Sequence, residues 1–191
     1  MIALWFARHG QSTWNAEGRW QGQADPPLSA LGRVQAEELA EALAGAGIAL
    51  LAASDLARAR ETAAIVGARL GLAPVLEPAL REHDVGAWSG LTRAEVEARW
   101  PEELARFRAG DLALAPGGGE SRLVLRARVH AALARLEVRA AGPLALVSHL
   151  GVLRALDPDA HVAPGGLLRL RGPAPASRGT GAGPGGSGSS S

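Results

Sequence analysis

An Arg-His-Gly triplet near the start of the chain has the residue types that phosphate chemistry needs. Arg8, His9 and Gly10 directly follow the apolar run of residues 2–7, which the glycine ends. Open α/β folds bind ligands in the crevice beyond the carboxyl ends of their strands, so we expect the triplet there. A neutral imidazole whose other nitrogen is held by a hydrogen bond can attack phosphorus. The planar, permanently charged guanidinium of Arg8 suits phosphoryl oxygens.

Two further segments can bring side chains to the same place. Residues 144–148 form a second strand-like run, and His149 follows it, so both imidazoles are expected at one edge of a sheet. Arg58 falls in the first turn of a helix that follows a third strand-like run, where the helix N-terminus adds a positive field. Arg60, two positions further on, is expected to be solvated.

A carboxylate completes the candidate set. Glu82 lies in a segment that also contains Leu80, Val85 and Trp88. Apolar surroundings favour the protonated form, which a proton donor needs, although a surface loop carboxylate is the ordinary alternative. Position in the sequence does not decide between the two, and His83 and Asp84 are the nearest other candidates for the acid.

Apolar runs of strand length alternate with amphipathic helices. One helix is predicted over 56–70, with Ser54 or Asp55 as N-cap and Gly71 as its stop. Others are predicted over 29–43 and 121–138, and two short ones over 93–99 and 102–108. The stripe of the 121–138 helix is taken as Leu123, Ala127, Ala131 and Ala134. Strands are predicted over 2–7, 48–53, 74–76, 144–148 and 167–170. This alternation predicts an α/β three-layer sandwich, with a largely parallel central sheet flanked by helices.

Composition bounds the class of protein. The 191 residues suit one domain, here 1–172, followed by a tail over 173–191 that is too rich in Gly, Ser and Pro to be ordered. The 20 positive residues, all arginine, are interleaved with 19 acidic ones, so no basic stripe suggests nucleic acid. Cysteine is absent, which excludes disulfides and thiolate chemistry. Without a charged leader or an apolar stretch of membrane-spanning length, we expect a soluble, cytoplasmic protein.

From Leu4 to about Leu156 the chain resembles the histidine phosphatase superfamily, the phosphoglycerate-mutase-like group. The matching segments, in chain order, are 8–15, 18–22, 25–29, 54–59, 80–82, 86–90, 116–121 and 148–149. The resemblance implies a phosphohistidine on His9, a phosphate pocket made by Arg8, Arg58 and His149, and Glu82 as proton donor and acceptor. Asn15, Gln21 and Gly22 match positions that line the pocket for phosphate and substrate. It implies no metal and no cofactor.

Within this group the compact chain favours net hydrolysis of a small phosphorylated metabolite over a phosphoglycerate mutase. A catalytically silent binding or regulatory module is disfavoured because all five catalytic positions are filled. A metal site at His83, His130 or His161 is disfavoured because their spacing offers no chelating pair. The protein is expected as a monomer or homodimer, and the identity of its substrate stays open.

Overall fold

The computed structural model describes residues 2–171, so the predicted tail over 173–191 lies outside the described residues. Five strands alternate with seven α-helices in this part of the chain. The strands are β1 (Leu4–Arg8), β2 (Leu50–Ala53), β3 (Val75–Leu76), β4 (Leu144–Ser148) and β5 (Leu167–Arg171). The helices are α1 (Thr13–Ala16), α2 (Ala30–Leu43), α3 (Ala57–Leu70), α4 (Arg93–Arg99), α5 (Pro101–Arg108), α6 (Arg122–Arg139) and α7 (Leu150–Leu156).

The strands form one sheet in the order β3-β2-β4-β1-β5. The first four strands run parallel, and β5 pairs antiparallel with β1 at one edge. The register places Arg8, the last residue of β1, opposite Ser148, the last residue of β4. Both strands therefore deliver the residue that follows them, His9 and His149, to the same edge, as the sequence predicted.

Two apolar layers hold the sheet between the helices. Leu4 and Phe6 of β1 face α6 and α7, whereas Ala7 of β1 and Val147 of β4 face α2 and α3. This three-layer arrangement with a largely parallel sheet confirms the predicted fold class. The N-terminal caps Ser29 and Ser121 hold the starts of α2 and α6 through their side chains.

Two local predictions are wrong. The buried stripe of α6 is Leu125, Val129, Ala132, Leu133 and Leu136, while the predicted Leu123, Ala127, Ala131 and Ala134 are exposed. Helix α3 is not capped by Ser54 or Asp55, because its N-cap is Leu56, which has no side-chain cap bond. Instead the Asp25 carboxylate, from a distant loop, accepts a hydrogen bond from the Ala57 N–H.

Candidate active site

The two strand-end histidines lie side by side. The His9 N–H donates to the Ser148 carbonyl over 2.9 Å, so the backbone carries the strand pairing one step past β1. The imidazole rings of His9 and His149 are 5.0 Å apart between centroids and meet edge to face. Both residues are buried. The convergence predicted from two separate strand-histidine patterns is therefore present.

The hydrogen bonds of His9 fix which nitrogen carries its proton. Nδ1 lies 2.6 Å from the Gly10 carbonyl oxygen, which can only accept, so Nδ1 is the donor. Burial, followed by the charge of Arg58, holds the pKa of His9 well below its usual value near 6.5. The ring is consequently neutral at physiological pH, with its lone pair on Nε2. This is the protonation state that a nitrogen nucleophile needs.

His149 is hydrogen-bonded through its other ring nitrogen. Its Nε2 lies 2.9 Å from the Ser54 hydroxyl, and that hydroxyl already accepts from the Leu56 N–H. The Ser54 hydroxyl can donate to Nε2, and in that tautomer the His149 proton lies on Nδ1. Burial, and then Arg58, hold the pKa of His149 well below its usual range as well. Ser54, predicted as a helix cap, instead orients this second imidazole.

Two arginines flank the histidines, Arg58 buried and Arg8 partly buried. Arg58, in the first turn of α3, donates to the carbonyls of Gly22 and Ala24 over 3.0 and 2.8 Å. Burial lowers the pKa of Arg58 to about 10, which keeps it cationic at neutral pH. Arg8 donates to the Val162 carbonyl over 3.0 Å, and burial, opposed by the nearby Glu82 charge, lowers its pKa. Arg60 is exposed, as predicted.

Three buried nitrogens of this group have no hydrogen-bond partner within residues 2–171. They are Nε of Arg8, Nε of Arg58 and Nδ1 of His149. Buried donors are nearly always paired in folded proteins, so three unpaired ones on neighbouring residues indicate an acceptor that binds there. A phosphoryl group supplies several anionic oxygens and fits such a set of donors.

The loop after His9 packs against the start of α2 without any side chain between them. A Cβ on Gly10 would lie 2.1 Å from the Gly32 carbonyl oxygen, and a Cβ on Gly32 would lie 2.1 Å from the Gln11 carbonyl oxygen. Both distances are far below van der Waals contact. The paired glycines therefore allow the backbone approach that sets the position of the His9 segment.

Glu82 is held against the start of α7. One of its oxygens, Oε1, accepts from the His83 N–H over 2.7 Å and from the Gly151 N–H over 3.0 Å. The second donor belongs to the first turn of α7, where backbone N–H groups lack partners within the helix. Since Oε1 is engaged as an acceptor, Oε2 is the oxygen left to carry or release a proton. A Cβ on residue 151 would lie 2.2 Å from Oε1, so glycine at this position allows the carboxylate to stay where it is.

Arg128 of α6 clamps the segment that carries Glu82. Its guanidinium donates to the carbonyls of Ala79, Arg81 and Glu82 over 2.7–2.9 Å. Its remaining N–H groups go to the carboxylate of Glu120, whose other contact is the Asp84 N–H. All five donors of the arginine are thereby used. Sequence reasoning missed this residue, because only the fold brings α6 beside the segment.

The three other predicted site residues, Asn15, Gln21 and Gly22, do not all lie at the cleft. Gln21 and Gly22 line a cleft of about 360 Å³ beside Arg8 and Glu82, which we call the inner cleft. Asn15 is not among the lining residues. Its Oδ1 accepts from the backbone N–H and hydroxyl of Ser12, forming the cap of α1. Roles in substrate binding for these three residues stay predictions.

Two other groups of residues frame the inner cleft. Leu150 forms part of the wall next to Gly151, and Trp20 and Phe107 add aromatic surface. His83 is buried, and its Nε2 pairs with the Glu120 carbonyl over 2.7 Å.

Across residues 2–171 no three His, Asp or Glu side chains are grouped so that they could hold a metal ion, and no helix there is long and apolar enough to cross a membrane.

Comparison with known proteins assigns the family. The histidine phosphatase superfamily (branch 1) matches residues 4–177. The glucosyl-3-phosphoglycerate phosphatase of Mycobacterium tuberculosis is 41% identical over 159 residues, which are 78% of this chain and 71% of that protein. A probable phosphoglycerate mutase GpmB from an Enterobacter species is 40% identical over 137 residues, 70% of this chain and 62% of that protein.

Solved structures agree with these sequence relatives. The mycobacterial glucosyl-3-phosphoglycerate phosphatase in complex with VO3 superposes with a TM-score of 0.77 at 39% identity, covering 81% of this chain and 79% of that one. A Thermus thermophilus protein, TTHB049, gives a TM-score of 0.70 at 38% identity, covering 90% and 95%. The chain belongs to the histidine phosphatase superfamily, branch 1. Its similarity to phosphatases of that superfamily identifies it as a phosphatase.

Proposed function

We propose that the chain hydrolyses a phosphate monoester through a phosphohistidine on His9, with no metal. The observation that carries this proposal is a set of three buried nitrogens, of Arg8, Arg58 and His149, that have no partner in the described part of the chain and lie beside a neutral imidazole. Nε2 of His9 holds a lone pair, and the three nitrogens are donors suited to the oxygens of a bound phosphoryl group.

In the first step the Nε2 lone pair of His9 forms a bond to phosphorus while the bond from phosphorus to the ester oxygen breaks. The departing oxygen takes the proton from Oε2 of Glu82, so the alcohol leaves neutral. The guanidinium groups of Arg8 and Arg58, together with Nδ1–H of His149, stabilise the charge on the three transferring oxygens.

In the second step water attacks the same phosphorus and gives a proton to the Glu82 carboxylate. The bond between phosphorus and Nε2 breaks, its electron pair returns to His9, and phosphate is released. Both protons and electrons balance without a metal or a redox partner. A monomer or homodimer and a cytoplasmic location stay predictions.

The intermediate can be trapped directly. Rapid quenching after mixing with ³²P-labelled substrate should give protein-bound phosphate that is labile to acid, stable to alkali and absent from His9→Ala. The exposed His130 provides a matched control, since His130→Gln should label like the wild type. Activity that survives His9→Ala, or that is lost with a chelator and restored by a divalent ion, contradicts the mechanism.

The relatives named as mutases make one further outcome worth measuring. A phosphatase passes the phosphoryl group to water, whereas a mutase returns it to phosphoglycerate at the other hydroxyl. We expect free phosphate to be the main product from 3-phosphoglycerate. Efficient interconversion of 2- and 3-phosphoglycerate with little free phosphate would instead assign the chain as a mutase.

A further inference from the structure

A second cleft opens off the inner cleft at Arg154. This outer cleft, of about 280 Å³, shares four lining residues with the inner one: His83, Phe107, Gly151 and Arg154. Its other walls combine apolar side chains such as Leu112 with the guanidinium groups of Arg122 and Arg126. Since Arg8 and Glu82 line the inner cleft, a molecule whose phosphate is bound by Arg8 can extend past Glu82 into the outer cleft.

Arg154 occupies the junction for a geometrical reason. It lies three residues after Gly151 in α7, and residues at that spacing lie on the same face of a helix, one turn apart. The Gly151 N–H binds Glu82, so Arg154 stands one turn away from the contact that positions the acid. Arg154 is exposed, and it has no hydrogen bond or carboxylate partner within residues 2–171.

Arg122 faces the outer cleft in a fixed orientation. Its guanidinium carbon lies 4.5 Å from the centroid of the Phe107 ring, and its NH2 group donates to the Phe107 carbonyl over 2.9 Å. Stacking leaves the edge of the guanidinium available to a ligand. Asp111, whose charge acts on Arg122, is itself bound by Arg106 over 2.7 Å, and Asp159 is the acid that lines the outer cleft.

The charges of this region are coupled and positive. After burial and the opposing Glu82 charge, Arg154 lowers the pKa of Arg8, and it also lowers the pKa of the partly buried Arg122. Arg154 is thus close enough to act on both the phosphate pocket and the outer cleft. Three arginines, Arg122, Arg126 and Arg154, face one carboxylate, Asp159, in the outer cleft, and none of the three forms an ion pair within residues 2–171. This excess of positive charge raises the local concentration of anions.

We propose that Arg154 and Arg122 form a second anion subsite, which binds a carboxylate or a second phosphate of the substrate while its scissile phosphate lies at His9. The inference rests on the proposed function and narrows its substrate class to phosphate monoesters that carry another anionic group. Arg154 contacts this group at the junction of the clefts, and Arg122 contacts it from the outer side. The subsite thereby selects among monoesters that the phosphate pocket alone would treat alike.

Matched pairs of substrates test the subsite. 3-Phosphoglycerate and glycerol 3-phosphate share a three-carbon skeleton and differ by a carboxylate against a neutral hydroxymethyl group. Fructose 1,6-bisphosphate and fructose 6-phosphate differ by a second phosphate. We expect wild-type kcat/KM to favour the more anionic member of at least one pair by about tenfold or more, as for a hydrogen bond to a charged group. The pair that shows this preference identifies the anion.

Substitution then assigns the preference to residues. Arg154→Gln and Arg122→Gln should each remove most of the preference, mainly through KM, whereas Arg139→Gln, an exposed residue of the same helix as Arg122, should retain it. Equal kcat/KM within both pairs, or a preference that survives both substitutions, overturns the subsite while leaving hydrolysis at His9 intact. Failure of the wild type to release phosphate from these esters and from p-nitrophenyl phosphate refutes the proposed function, and the subsite with it.

Discussion

Gly151→Ala offers a way to displace Glu82 without changing its chemistry. The added Cβ would lie 2.2 Å from Glu82 Oε1 and 3.1 Å from the Cβ of His83. Ordinary contact begins near 3.4 Å, so the carboxylate must retreat by about 1.2 Å. A misplacement of about 1 Å at a reacting group can cost roughly a hundredfold in rate. We therefore expect kcat for an alkyl phosphate to fall by about that factor.

The same substitution should leave the fold intact. Alanine stabilises a helix interior by about 0.5–1 kcal/mol relative to glycine, and residue 151 lies within α7. Against this stands the weakening of the bond between the Gly151 N–H and Glu82, which is worth about 1.5–3 kcal/mol for a charged acceptor. The net change in the free energy of unfolding should be a loss of no more than about 2.5 kcal/mol.

Comparing two leaving groups shows whether Gly151→Ala slows the reaction by displacing Glu82 or by disturbing the whole active site. An alkoxide needs a proton to leave, whereas p-nitrophenolate leaves unassisted. Single-turnover phosphorylation of Gly151→Ala should be slowed strongly with an alkyl phosphate and much less with p-nitrophenyl phosphate, and Glu82→Gln should show the same contrast. In the Glu82→Ala background the collision with Oε1 is gone and only the 3.1 Å approach to the His83 Cβ remains, so Gly151→Ala should add little further loss. Equal slowing with both leaving groups, or an additive loss in the double variant, would refute the reasoning.

Two further predictions concern the pocket's cations and imidazoles. Arg58→Lys and Arg8→Lys should lower kcat by roughly a hundredfold or more, because a point charge cannot replace the guanidinium fork; a rise in KM alone under steady-state assay would make either residue a recognition group. His149 is neutral in the fold because burial lowers its pKa, so its contribution to stability is full above the unfolded value near 6.5 and is lost as pH falls below it. The free energy of unfolding, measured with denaturant from pH 7 to 5, should fall with pH, and His149→Gln should reduce that slope by up to about 1.4 kcal/mol per pH unit.

The site could be predicted from the sequence wherever the decisive signal is local. An apolar run that ends in a histidine marks a strand end, and the parallel pairing of β1 with β4 then brings His9 and His149 together. Strand β4 was predicted with its exact bounds, since it is apolar on both faces as a central parallel strand must be. Glycine in the left-handed conformation ends α3 at Gly71, as predicted.

The errors arise where tertiary contacts choose among local alternatives. Helix α6 carries Leu, Val and Ala on several faces, so its period allows more than one stripe, and only the packing on the sheet selects Leu125 and Val129. The cap of α3 comes from Asp25, which lies 32 positions away, and a capping rule that considers only neighbouring residues cannot predict it. Asp55, the local candidate, instead holds Arg81 through two bonds of 2.6 and 2.8 Å.

The contacts around Glu82 show that a residue can belong to a matched family motif although the sequence does not reveal its structural role. Glu120 belongs to a matched run of the sequence, yet its carboxylate lies outside the lining of the inner cleft and binds Arg128. Arg128 in turn holds three carbonyls of residues 79–82. A short segment between β3 and α4 has little regular structure of its own, so the position of its carboxylate depends on contacts from α6 and α7. Glu82 is therefore held from two sides. Arg128 binds the backbone carbonyls of its segment, and the Gly151 N–H binds the Glu82 carboxylate.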